Sequence, residues 1–259
     1  MGASVKKEDS IGYFGTGLKY AIAICLRHGL EIEINSGLEK FQFSTKKVNI
    51  SGVDFDVVTM NDQELGFTTQ QGKSWELWQA FRELYCNCID ESGNVYSSIE
   101  PQSCYEDETL ISVNGESFQD IFENLNKFII QGLPDIKTDY ADIWMSPSSG
   151  VFYKTVLVKE KIGLCLLTYN IKKSIDLTED RTAKYDFQVR EKICRALSEL
   201  KDDTLLERVL SCGEQFYEGK LDFDIHNKPS DAFLNVCARL AERKEPNLNP
   251  HALQYAQKH

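Results

Sequence analysis

Residues 82–91, RELYCNCIDE, place Glu83, Asn87, Asp90 and Glu91 at offsets of zero, four, seven and eight. On a helix with 3.6 residues per turn these positions share one stripe. Carboxylates and a carboxamide on one stripe are hard oxygen ligands that could hold a divalent cation. Glu83 could then orient and activate a water beside that ion. The same spacing also describes a solvated acidic face opposite the apolar residues, and spacing alone does not separate the two.

A second constellation lies upstream. GYFGTGLK sets Gly12, Gly15 and Gly17 directly ahead of the apolar run YAIAICL. Glycines let the backbone approach a ligand closely, and the first N–H groups of a helix face an anion. Lys19 adds a point charge one turn in. The pattern suits a phosphate, and it equally suits a tight turn whose glycines serve packing. No strand precedes it, so the dinucleotide fingerprint lacks its context. The four-residue gap and the Lys-Ser/Thr pair of the Walker loop are also missing.

Cys86 and Cys88 flank Asn87, but one intervening residue and no nearby histidine do not make a zinc set. The eight cysteines (25, 86, 88, 104, 165, 194, 212 and 237) are expected as free, mostly buried thiols of a reducing cytoplasm. MGASVKKEDS shows no apolar signal region, and no 18-residue apolar stretch occurs, so no membrane association is expected. A myristoylation pattern fails because Lys6 stands where Ser or Thr is needed.

The chain that must position these groups has 259 residues, 42% hydrophobic and 27% charged, an ordinary globular composition with ample material for a core. Forty acidic against 29 basic side chains give a net charge of -11. A broad nucleic-acid surface is excluded, because such a chain repels phosphates instead of releasing their counterions. A local nest of N–H groups for a small anion is not.

Patterning predicts a helix after the glycine turn, closed by Gly29 behind Arg27 and His28. Alternation predicts strands at 30–35, 40–45 and 53–60, joined as an antiparallel meander. Residues 61–73 read as a loop, and Ser74 as the N-cap of a helix over 75–90. A polar loop at 91–107 leads to a strand at 108–115 ending in Asn114-Gly115, then to an amphipathic helix at 118–130. Residues 131–150 read as a long connection, the candidate lid or linker. A hairpin turning at Lys161–Gly163 is expected within 151–171, followed by helices at 183–201 and 203–212 and a weakly patterned helical tail.

RELYCNCIDE fits E-x-x-x-N-x-x-D-E, and so resembles the N-box of the GHKL ATPases: gyrase, the ninety-kilodalton heat-shock chaperones, histidine kinases and MutL. IGYFGTGLKYAIAICLRHGLEIEI is similar to that family's second glycine box with its following helix and strand. The family places the N-box first, whereas here Gly17 precedes Glu83. The resemblance therefore implies a circularly permuted Bergerat fold, an α+β two-layer sandwich with a mostly antiparallel sheet, over residues 10–130. Residues 61–73 would join the old termini, and the cut would fall in the ATP lid just before residue 11. Residues 1–10 and 131–150 would be lid remnants, and 151–259 a hairpin plus a helical region.

By that resemblance Glu83 is the general base, Asn87 coordinates magnesium, and Asp90 sits at the nucleotide edge of the helix. Gly12, Gly15, Thr16, Gly17, Leu18 and Lys19 belong to the phosphate cradle. The family's adenine-reading Asp-x-Gly box is replaced by Asn114-Gly115. Arg181, in DLTEDRT, occupies a segment where two-domain members send a basic residue to the γ-phosphate; the alternative is a helix cap built on Thr178 or Asp180. The implied function is slow, magnesium-dependent ATP hydrolysis that switches a protein partner, with a homodimer among the assemblies open to it. The competing expectation is a GHKL-like interaction module without catalysis, such as a phage or mobile-element accessory protein that binds a host protein. A nucleotide sensor that binds without hydrolysing is a third.

Overall fold

The computed structural model describes residues 16–98, 100, 102–160 and 162–259. The chain forms two compact units, Met1–Phe128 and Ile129–His259. Its architecture is α+β, with two mostly antiparallel five-stranded sheets and seven α-helices among the described residues.

In the first unit, α1 (Gly17–Arg27) buries Ala21, Ile22, Ala23, Ile24 and Cys25 along its length. It stops at Gly29, whose φ of +71° is the left-handed backbone that glycine adopts without a Cβ clash. Leu30 N–H returns to Cys25 O at 2.9 Å and Gly29 N–H to Leu26 O at 3.0 Å, the paired bonds of a Schellman ending. The chain then runs through β1 (Glu31–Ser36), β2 (Glu39–Ile50), β3 (Val53–Met60) and β4 (Gln63–Thr68).

β4 corrects the loop expected at 61–73. Asn61 and Asp62 both have positive φ, 48° and 66°, and Met60 pairs with Gln63 across them. That is a two-residue hairpin whose twist matches its strands. Asparagine and aspartate tolerate this backbone, so the turn was present in the residue types while the short strand beyond it, interrupted by Gly66, was not.

Residues 69–75 cross from β4 to α2 (Leu77–Asp90). The Arg27 guanidinium holds this strap by donating to the carbonyls of Thr69 (2.9 Å), Gln71 (3.2 Å), Gly72 (3.1 Å) and Trp75 (3.3 Å). The N-cap of α2 is Glu76 and not Ser74: Gln79 Oε1 accepts from Glu76 N–H at 2.7 Å in a capping box. β5 (Thr109–Asn114) follows and pairs antiparallel with β1, giving the order β4-β3-β2-β1-β5. α3 spans Glu116–Glu123, shorter than the helix expected over 118–130. One core joins the two layers: Ile22, Ile24 and Cys25 of α1 and Ala80 and Leu84 of α2 pack with Ile32, Phe43 and Val58 of the sheet.

The second unit contains β6 (Ile136–Lys137), β7 (Ala141–Trp144), β8 (Val151–Tyr153), β9 (Val156–Lys159) and β10 (Thr168–Ile171), in the order β6-β7-β10-β8-β9. Residues 131–150 thus hold two strands, and Ala141 and Ile143 are fully buried. The hairpin turns at Lys154-Thr155, both with positive φ, earlier than the turn expected at Lys161–Gly163, whose Lys161 lies outside the described residues. β10 pairs parallel with β8, the one parallel pairing of this sheet among the described residues. Helices α4 (Asp186–Ser198), α5 (Asp203–Leu210), α6 (Asp231–Glu242) and α7 (Pro250–Ala256) contribute Ile193, Leu206, Phe233 and Ala252 to its core.

Candidate functional site

α2 departs from an ordinary amphipathic helix. Seven consecutive residues, Trp78 to Leu84, are buried, among them Gln79, Arg82 and Glu83. Arg82 is 0% exposed and Glu83 1%. Glu83 therefore does not lie on a solvated acidic face, the alternative that its spacing left open. Removing a carboxylate and a guanidinium from water costs several kcal/mol per ion before compensation, roughly, so their burial side by side on one turn calls for a reason other than stability.

Glu83 is seated against the first residue of α1. A methyl group on Gly17 would fall on the Glu83 carboxylate, and Glu83 Cγ alone would lie 2.8 Å from it. Gly17 takes no left-handed backbone; glycine is required there to leave room for the side chain opposite. Thr16 is the N-cap, its carbonyl accepting from Lys19 N–H at 3.1 Å and Tyr20 N–H at 3.3 Å, with no capping bond from its hydroxyl. Leu18 is half-buried beside the core and Lys19 is exposed. Gly12 and Gly15 lie outside the described residues.

One helical turn beyond Glu83, Asn87 is half-buried and its amide nitrogen donates to Glu83 Oε1 at 3.4 Å. Asp90 is half-buried, and Glu91, the C-cap of α2, is exposed. The stripe thus runs from a buried end at Gly17 to a solvent end at Glu91. Among the described residues no cluster of three or more His, Cys, Asp or Glu could hold a metal by itself. The donor set fits magnesium as that ion is bound with a phosphate ligand: one or two protein oxygens, the rest from water and phosphate.

Residues that sequence reasoning passed over pack around Arg82, the neighbour of Glu83 in α2. The Arg82 guanidinium lies 5.0 Å from the Trp78 ring centroid and 5.9 Å from that of Trp75. Trp75 meets Tyr20 of α1 edge-on, centroids 5.2 Å apart at 84°. Trp78 stacks on Phe128 at 4.9 Å. An arginine in mid-helix carries no sequence signal of burial, since the type is mostly exposed. Only the packing of Trp75 across α1 reveals it.

The remaining candidates belong to other elements. Asn114 ends β5 opposite Glu31 and is exposed. Arg181 belongs to the second unit, 3% exposed, with φ of +57° and its N–H bonded to Thr178 O at 3.0 Å. Thr178 and Asp180 do not cap α4, which begins at Asp186 behind Tyr185. They close their own turn: Thr178 Oγ donates to Asp180, and Thr182 Oγ donates to Asp180 at 3.0 Å. These three side chains bond within their own turn, and the helix starts five residues after Arg181. All eight cysteines are free thiols, and burial pushes Cys25 up to about 12.

Comparison with protein-family models, with curated proteins and with solved structures finds no match to this chain. No helix among the described residues is long and apolar enough to cross a membrane.

Proposed function

We propose that the first unit binds ATP with magnesium and hydrolyses it slowly, as a circularly permuted domain of GHKL type, and that the bound state is read by a protein partner in the cytoplasm. The observation that carries this reading is the seating of Glu83 against Gly17. The two segments that resemble the N-box and the glycine box are far apart in sequence and in inverted order, yet their defining glutamate and glycine are neighbours in space.

In this reading the backbone of Gly15, Thr16, Gly17 and Leu18, with Lys19, receives the phosphates, since the first N–H groups of a helix and an ammonium favour that charge. Asn87 offers its carboxamide oxygen to magnesium, with Asp90 at the nucleotide edge. Magnesium, when bound, neutralises charge on the phosphate oxygens. Glu83 accepts a proton from the attacking water, and its burial excludes competing solvent from that carboxylate. By the family resemblance Asn114 replaces the carboxylate that reads the adenine amino group, which predicts weak discrimination between bases. The lid remnant expected at residues 1–10 lies outside the described residues, and the one expected at 131–150 contains strands β6 and β7 of the second unit.

Calorimetry with ATP, ADP and magnesium on the parent protein and on Glu83→Ala tests the reading, alongside phosphate release. Binding by both proteins with turnover lost in the variant is the expected result. Binding without turnover in the parent reduces the function to a nucleotide sensor. Absence of binding by either protein rejects ATP and leaves a non-catalytic interaction module.

A further inference from the structure

We infer that Arg27 is a positioning residue for the proposed hydrolysis: by fastening residues 69–75 to the end of α1, it sets how α2 presents Glu83. This rests on the proposed nucleotide site and adds to it a group that touches neither the phosphates nor the attacking water. Arg27 is the last residue of α1 and Gly17 the first, about 15 Å apart along the axis at about 1.5 Å per residue. The Arg27 guanidinium forks over the strap. One terminal nitrogen donates to the carbonyls of Thr69 and Gln71, the other to those of Gly72 and Trp75. A planar group with several fixed donors suits that task, because it serves many acceptors in one geometry. Backbone bonds from Gln71 N–H to Thr68 O (3.1 Å) and from Trp75 N–H to Gly72 O (2.9 Å) close local turns and do not reach α1. Arg27 is what ties the carbonyls of this stretch to that helix.

Trp75, the last residue held, stands directly before Glu76, the N-cap of α2. Its ring meets Tyr20 of α1 edge-on at 5.2 Å, and the Arg82 guanidinium lies 5.9 Å from its centroid. One strap residue is thus bonded to the last residue of α1, packed on Tyr20 of the same helix, and near the α2 turn that carries Glu83. At the start of α1 the Glu83 carboxylate already fills the space of a methyl group on Gly17. That contact leaves no slack, so a slide or roll of α2 moves the carboxylate relative to the helix start. A misplacement of about 1 Å can cost a reaction about a hundredfold in rate. The apolar core of Ile22, Ile24, Ala80, Leu84 and their sheet partners is built without Arg27, so cutting the clamp shifts α2 and leaves the unit folded.

The test measures ATP hydrolysis in excess MgCl2, with nucleotide affinity by calorimetry, for the parent, Arg27→Ala, Arg27→Lys and the charge-matched control Lys47→Ala, whose ammonium is exposed on β2. Arg27→Ala should bind ATP with the parent affinity and lose about tenfold or more in kcat. Guanidinium chloride, added well below denaturing concentration, should return part of that rate to Arg27→Ala and none to the parent or Lys47→Ala. Arg27→Lys should fall between, because one ammonium cannot span four carbonyls. Should Arg27→Ala fail to fold by circular dichroism, Arg27→Lys carries the same comparison of kcat against affinity. Parent kcat in the folded Arg27 variants overturns the inference. So does a loss of affinity that accounts for the whole loss of rate, although both results leave the nucleotide site standing. A parent protein without turnover removes the proposed reaction, and the role of Arg27 with it.

Discussion

Gly17 and Glu83 are in van der Waals contact although 66 positions separate them: the missing side chain of the one is the space filled by the carboxylate of the other. α1 and α2 are thereby fixed at the end where the glycine segment enters. The contact has a stability consequence of unexpected sign. Alanine at the start of an exposed helix is worth up to about 1 kcal/mol over glycine. Here Gly17→Ala should instead destabilise the first unit by about 1–3 kcal/mol, the range for overpacking. Urea unfolding of Gly17→Ala, Glu83→Ala and the double variant checks this, and the double variant should recover part of the loss, since the two residues share one space.

Arg82 precedes Glu83 in α2 and packs its guanidinium against Trp75 and Trp78. Arg82→Met keeps the volume and deletes the charge. It should cost about 3 kcal/mol, as breaking a buried ionic arrangement does. Tryptophan emission should shift as the two rings lose their cation. Arg82→Lys should be intermediate, because an ammonium keeps the charge but not the planar stack. Native emission and stability in both variants would refute a role in holding α2.

In the second unit Glu218 performs a structural task. Its carboxylate is 1% exposed and accepts from Leu166 N–H at 3.0 and 3.1 Å, Leu167 N–H at 3.2 Å and the Tyr169 hydroxyl at 2.9 Å. Burial and this charge together hold the Tyr169 hydroxyl well above the usual phenol range. Glu218→Ala strands three donors in the interior and should cost about 3 kcal/mol or more. Denaturant unfolding followed on the second unit measures it; a loss below about 1 kcal/mol would mean that water replaces the carboxylate.

Arg181 is tested by kinetics. Its backbone already sits in the left-handed region at φ +57°, so alanine faces the same backbone cost as arginine and the turn should persist. The family resemblance predicts that Arg181→Ala lowers kcat for ATP by about tenfold or more with nucleotide affinity unchanged. Hydrolysis at the parent rate would remove Arg181 from the reaction.

Thiol reactivity gives the pH-dependent prediction. Burial holds Cys25 and Cys237 up at about 12, and burial with the Glu218 charge does the same for Cys165. A raised thiol pKa means less thiolate at any pH below it, so these three should resist iodoacetamide at pH 8 and gain reactivity only as pH climbs toward 12. Cys104, half-exposed, should be alkylated first in the folded protein. Peptide mass spectrometry after timed alkylation reads the order; early labelling of Cys25 would show that the α1 core opens.

Local patterning was enough for the elements that carry long runs. The helix of α1 with its Gly29 ending, the alternating strands β1 to β3, and the stripe of Glu83, Asn87 and Asp90 follow from period, caps and turn residues, which act over a few neighbours. β4 escaped because six residues interrupted by a glycine have too little alternation to register. The Lys154-Thr155 turn escaped because neither residue type advertises a positive φ.

What the sequence by itself determined is the chemistry on offer: a glycine-led helix start, an acid–amide–acid stripe, and a net charge of -11. Tertiary structure alone decided that the stripe begins buried, that its glutamate lies on Gly17, and that Arg82 is packed against two tryptophans. Those facts are set by which faces of α1 and α2 meet over a shared sheet. Contacts between segments dozens of residues apart leave no trace in local periodicity, and burial of a charge is a property of the surroundings and not of the residue.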